Sequence, residues 1–489
     1  MSILPTQTLT GARIGAPRSF ALPALTMWPT IGAAMLPLGL AAVLGAAIWL
    51  WLPFPAEARI ALIVFGLATI AWCLTSLDDT LIALAAAATL VASRTVPAQQ
   101  LHGALGSELI WLLIGAFIIA AALRACGLAE RLALSALARV GTVRALFLAV
   151  TGVIIATAFV VPSTSGRAAL LLPVYLALAA AIDDARINRA LALLFPTVIL
   201  LSAGGSLIGA GAHLIALEMI VRSGGAGYGY LGWMAMALPL AVLASLAAMA
   251  LILWLFLEPG ERRQTLSLPA PETGPLSRQQ LYVGAAIGLV VLGWSTQGLH
   301  GVDAAVVTLL GAVAVTLKPL APVSMKQAAK SVEWQLILFL AATTLMGSAL
   351  IATGAAKSLM QLLLAALPAG ALASPPAIAA LVAVVALLSH LLITSRSARA
   401  TILIPLLALP LVAYGYDARA LIVLIVMGTG FCQTLAVSAK PVALYADLEK
   451  PTYAARDLMW LSLALLPVMF ALLTLFSLWL WPLFGLALR

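Results

Sequence analysis

Residues 163–167 read Ser-Thr-Ser-Gly-Arg, and residues 395–399 read Ser-Arg-Ser-Ala-Arg. Pro173 follows the first stretch and Pro405 the second. The pairs Ser163/Ser395, Arg167/Arg399 and Pro173/Pro405 share one offset of 232 residues. A single pair could arise by chance; three at one offset indicate an internal repeat. Each stretch interrupts a hydrophobic block, 144–181 in the first case and 376–415 in the second. Each block is too long for one span and fits a re-entrant hairpin whose arms return to the same side. Irregular backbone at membrane depth is tolerated only where it is buried in protein or lines a cavity.

The flanking sequence sets the solvent. Of 489 residues, 64% are hydrophobic and 9% charged, and the mean hydropathy is +1.13. A soluble domain carries about a quarter charged residues. Continuous apolar runs such as Tyr230 to Leu257 and Trp460 to Leu486 reach the ~20 residues a spanning helix needs. A membrane barrel would instead alternate in ten-residue segments. The fold class expected is an all-α integral membrane protein, with about eleven transmembrane helices and two re-entrant hairpins in an inverted repeat.

Spans are expected near 28–52, 58–75, 77–93, 108–124, 189–220, 230–257, 281–298, 302–317, 334–352, 418–446 and 457–486. An arm, 1–27, precedes a first half, 28–257. A polar linker, 258–280, leads into a second half, 281–489. With the N-terminus inside, 16 cations fall on inside loops and six outside, as the positive-inside rule requires. This places the protein in a cytoplasmic membrane and accounts for the +9 net charge without nucleic acid. No cleavable signal peptide or lipid-anchor motif is expected. Cys73, Cys126 and Cys432 lie in apolar runs and read as packing residues, with no disulfide or metal spacing.

Four cations remain: Arg167, Arg396, Arg399 and Lys440. The first three sit at the hairpin tips, with no acid within five positions in sequence. Lys440 belongs to a glycine-marked break, 428–441, that corresponds loosely to Ser202–His213 in the first half. An odd number of spans between the hairpins inverts the second copy. Inverted repeats with broken helices and a midplane site are characteristic of secondary transporters.

Ser163 and Ser395 are suited to cap the half-helices that follow, and helix N-termini attract anions. An arginine in the first turn opposes the helix dipole and costs roughly 2.5–3.5 kcal/mol at the bilayer centre on insertion scales. A bound anion relieves both penalties, and guanidinium pairs bidentately with carboxylate or sulfate. The other assignment is that these arginines are braces bonded to backbone carbonyls, or snorkel to water. Candidate substrate residues are Ser163, Thr164, Ser165, Arg167, Ser395, Arg396, Ser397 and Arg399. Ser206, Gly209, His213, Thr434, Ser438 and Lys440 are expected on the broken-helix loops. Asp78-Asp79 reads as an interfacial turn, and His102, His300 and His390 lack supporting context.

At these residues the chain resembles the divalent anion/sodium symporter family, which carries dicarboxylates, citrate and sulfate. The resemblance spans most of 58–486. It rests on Ser163-Thr164-Ser165 with Leu172-Pro173, and on Ser395-Arg396-Ser397 with Ile404-Pro405. Leu207-Ile208-Gly209 through His213 and Gly127 to Ala133 add to it. It implies a homodimer in which a transport domain moves against a scaffold, with substrate held between the hairpin tips. The family's Asn-Thr positions bind substrate and sodium; here Thr164, Arg396 and His213 stand where the family has Asn. Fixed cations in place of bound sodium predict a sodium-independent carrier of small anions, working as an exchanger or with protons, without cofactor or resident metal. The alternative is an ordinary sodium-coupled symporter with sodium near Ser163 and Ser395. An anion channel, or a membrane hydrolase built on Ser395 and Lys440, fits less well, because a repeated site does not suit a single chemical step.

Overall fold

The computed structural model describes residues 31–489 apart from 139, 269–273, 357, 359–373, 413 and 449–451. The arm 1–27 and the loop cations Arg139, Lys357 and Lys450 lie outside the described residues. Those described are helical, with no strand among them and one isolated bridge, Thr142 to Thr265.

The helices used below are α1 (Ile31–Trp51), α2 (Ala56–Leu74), α3 (Asp79–Ala92), α4 (Glu108–Ala125), α5 (Val143–Thr157), α6 (Thr164–Ala181), α7 (Ala185–Ser202), α8 (Gly211–Arg222) and α9 (Tyr230–Phe256). The second half holds α10 (Arg278–Ser295), α11 (Ala304–Thr316), α12 (Trp334–Ala352), α13 (Pro375–Leu388), α14 (Arg396–Leu403), α15 (Ala418–Gly428), α16 (Lys440–Ala446) and α17 (Ala455–Leu475). Seven helical stretches among the described residues are long and apolar enough to cross a membrane, and shorter apolar helices accompany them. Leu289, Leu310 and Trp254 stay exposed on helix faces, as expected where lipid is the solvent.

Each interrupted block is a pair of helices with a break between them. The first is α5 and α6 with a break at 158–163; the second is α13 and α14 with a break at 389–395. The expected spans 189–220 and 418–446 are each two helices joined by a break. Asp184 begins the first and accepts the N–H groups of Arg186 and Ile187. Asp417 begins the second and accepts those of Arg419 and Ala420. Each cap satisfies two of the four donors that a helix start leaves free.

The helices pack in two groups. In one, α4 lies on α11, α3 on α12, α10 on α11 and α2 on both α1 and α3. In the other, α7 lies on α5, α6 and α9, α8 on α14, α13 on α15 and α17, and α9 on α17. The second group therefore contains both hairpins and both broken helices. It meets the first mainly where α8 packs on α12 and α9 on α10. Arg189 on α7 pairs with Asp457 on α17, whose side chain is 3% exposed.

Candidate functional site

At the first hairpin tip Ser163 has extended backbone, and its Oγ accepts the Gly166 N–H at 3.2 Å. At the second, Ser395 accepts the Ala398 N–H at 3.3 Å. The shared serine is thus a shared cap. Each hydroxyl fixes where its half-helix begins, and so where the free N–H groups point.

The breaks in the two long helices match in backbone. Ser206 (φ −117°, ψ 136°) opens a short 3-10 turn that ends at Ala210 (φ −158°, ψ 149°). Leu435 (φ −115°, ψ 144°) opens another that ends at Ala439 (φ −157°, ψ 141°). Gly211 and Lys440 are therefore equivalent first residues of α8 and α16. Gly209 is required here by space, since a Cβ on it would overlap the Ala203 carbonyl. The Trp233 indole closes the first break by donating to the Gly204 carbonyl at 3.0 Å.

These four interruptions surround one cavity of about 380 Å³. Ser163, Thr164 and Ser165 line it from one tip, and Ser395, Arg396 and Ser397 from the other. Ala210, Gly211, Ser438 and Lys440 line it from the broken helices. The N-termini of α6, α8 and α14 thus converge, presenting free N–H groups and partial positive charge to one space. A larger hollow, about 640 Å³, shares Ser165 and Lys440 with this cavity and extends to Asp447 and Leu448.

The three arginines meet different fates. Arg167 is fully buried and absent from the cavity wall. Its Nη1 donates to the Ile199 carbonyl at 2.9 Å, its Nη2 to the Ile154 carbonyl at 2.6 Å and Ser202 Oγ at 2.7 Å, and its Nε to Thr157 Oγ1 at 3.1 Å. It ties α6 to α5 and α7 and is a brace. Arg399, its mate in the repeat, is also fully buried and off the wall. Among the described residues its Nη1 alone has a partner, the Phe431 carbonyl at 3.4 Å, while Nε and Nη2 have none.

Arg396 lines the cavity, while its Nε and Nη1 are buried and without partners among the described residues. Its Nη2 lies 3.0 Å from His213 Nε2, and the His213 Nδ1 lies 3.0 Å from the Ser206 carbonyl. Guanidinium can only donate, so Nε2 accepts and Nδ1 carries the proton to Ser206. His213 is fully buried and positions Arg396 instead of facing the cavity. Thr434 bonds His390 Nε2 at 2.7 Å and is likewise off the wall, as are Ser206 and Gly209.

Several lining residues escape the sequence reading as site residues. Asp79, Glu333 and Cys432 contribute polar groups, and Leu336 an apolar one. Asp79 does have a local signal. Asp78 alone caps α3, accepting the Thr80 and Leu81 N–H groups at 2.9 and 3.1 Å. The second carboxylate is therefore surplus to the turn.

The citrate transporter family profile matches residues 60–430. A membrane protein of Cupriavidus necator is 26% identical over 261 residues, which is 51% of this chain and 50% of that protein. The chain thus aligns with only about half the length of that curated relative. The crystal structure of the YdaH transporter of Alcanivorax borkumensis superposes with a TM-score of 0.56 at 15% identity, covering 89% of this chain and all of that one. At that identity the likeness is one of fold. The family match covers most of the chain and is of the divalent-anion symporter kind that the hairpin motifs resemble, and by it the chain belongs to the citrate transporter family.

Proposed function

We propose that this protein is a secondary active carrier that moves small anions across the cytoplasmic membrane. The observation that carries this reading is the cavity shared by both hairpin tips and both broken helices, with Arg396 and Lys440 among its lining residues. Converging N–H groups, with the charges of Lys440 and Arg396 beside them, attract carboxylate or sulfate. The two packing groups meet beside the cavity, which supports an elevator motion of the hairpin-bearing group against the other. A homodimer would anchor the second group, with the N-terminus on the cytoplasmic side. Arg396 and Lys440 supply fixed positive charge where related carriers use sodium, so exchange proceeds without sodium, or with protons.

The test is uptake into proteoliposomes loaded with unlabelled dicarboxylate, citrate or sulfate, with and without a sodium gradient. Saturable exchange without sodium, lost in Arg396→Gln, is the expected result. Uptake that needs sodium and survives Arg396→Gln would restore a sodium-coupled symporter. Flux that shows no counterflow would make the protein a channel.

A further inference from the structure

The cavity has two walls of opposite charge. Among the described residues, the charged side chains that line it are Asp79, Glu333, Arg396 and Lys440, two acids and two cations. Asp79 begins α3 and Glu333 directly precedes α12, and these two helices pack on each other. Arg396 and Lys440 begin α14 and α16 in the hairpin-bearing group. Asp79 faces the Ser395 hydroxyl and lies close enough to Lys440 to feel its charge, while Glu333 interacts with Arg124.

Such a wall is unfavourable for a fully ionised polyanion. One carboxylate of an incoming ligand can take the free N–H groups of the helix N-termini beside Lys440. The rest of the ligand then meets Asp79 and Glu333, which accept hydrogen bonds and repel further negative charge. Ser395 reinforces this polarity. Its hydroxyl already accepts from Ala398, and a hydroxyl facing a carboxylate turns its single proton toward it. What Ser395 has left is a lone pair, which suits a ligand donor. Sequence spacing conceals this, because the acids are far along the chain from both tips.

We infer that the substrate is a carboxylate that also carries an ammonium group, an amino dicarboxylate, with Asp79 and Glu333 as the residues that select the ammonium. This rests on the carrier reading above and narrows its substrate class. L-Aspartate and succinate form the deciding pair, since they differ by one amino group.

Proteoliposomes of the full chain, loaded with unlabelled L-aspartate, would be challenged with labelled L-aspartate in competition with succinate or citrate, with and without magnesium. L-Aspartate is expected to compete at a concentration lower than succinate by at least roughly ten-fold, because a site built for a polar group rejects the analogue lacking it. Asp79→Asn with Glu333→Gln should narrow or reverse that ratio while exchange of some dicarboxylate persists. Succinate equal to or better than L-aspartate in the unaltered protein would overturn the inference. So would an unchanged ratio in the double variant, or citrate exchange that appears only with magnesium. Those outcomes leave an anion carrier standing. Absence of counterflow for every anion tried would overturn the carrier reading itself, and this inference with it.

Discussion

Arg396 of the second hairpin and His213 of the first broken helix are joined at 3.0 Å, across 183 residues of chain. The histidine is held in turn by the Ser206 carbonyl at 3.0 Å. One repeat therefore aims the guanidinium that the other repeat carries. The charge itself is near the cavity only because a neutral imidazole in the opposite half accepts one of its hydrogens.

His213→Ala removes that acceptor while Arg396 remains. Hydrogen bonds to charged groups contribute about 1.5–3 kcal/mol, so KM for the exchanged anion should rise at least roughly ten-fold. His213→Gln keeps an acceptor and should recover part of the loss. The concentration dependence of counterflow measures both; an unchanged KM would separate Arg396 from substrate.

Arg167 and Arg396 should fail in different ways. Arg167→Gln strips the donor from the Ile199 carbonyl, while Ile154 keeps the Thr157 hydroxyl, and a buried group left unsatisfied costs about 1–3 kcal/mol. The purified variant should unfold at a lower temperature by several degrees. Arg396→Gln should melt close to the unaltered protein and lose exchange. Thermal unfolding in detergent beside uptake distinguishes the two.

Arg189→Ala leaves the buried Asp457 carboxylate with only the more distant Arg456, at 4.0 Å. Breaking a buried pair from one side costs about 3–5 kcal/mol. Adding Asp457→Asn should restore part of the stability. A thermal unfolding series of the single and double variants reads this directly.

Two glycines of the same break should respond oppositely. Gly209→Ala drives a methyl into the Ala203 backbone and should prevent folding, seen as loss of monodisperse protein. Gly211→Ala meets the Leu336 Cδ1 at 2.7 Å and the Ser397 Oγ at 3.0 Å. Those are side-chain ends that can shift. That variant should fold, and its exchange rate should fall because the contact lies where α8 meets α12.

Cys432 provides a native reporter of occupancy, since it lines the cavity. In a background with Cys73→Ser and Cys126→Ser, a small maleimide should label Cys432. A saturating substrate should slow that labelling several-fold. Mass spectrometry of the intact chain follows the reaction, and labelling indifferent to every exchanged anion would place substrate elsewhere.

The hairpins were legible because their determinants are local. A serine cap and a proline at fixed distances mark where a half-helix starts, and an offset of 232 links the copies. The all-helical class followed from hydropathy alone. The opposite wall was not legible, because Asp79 and Glu333 reach the cavity through the packing of α3 on α12. Nor did sequence distinguish Arg167 from Arg399. They occupy the same place in the repeat, and their difference lies in Ser202 and Ile199, which come from a separate helix. Cys432 read as packing for a similar reason: burial and position on a cavity wall look alike in a linear apolar run.

The satisfied guanidinium of Arg167 has a consequence for how such a duplicated chain can change. One copy of the motif has become masonry, holding three helices together through all three of its guanidinium nitrogens. The other copy is thereby excused from that duty. Substitutions at 395–399 can then retune what is held without loosening the fold, whereas the same substitutions at 163–167 would be removed as failures of assembly. Novelty in this lineage should accumulate on the second hairpin, and the first should drift least.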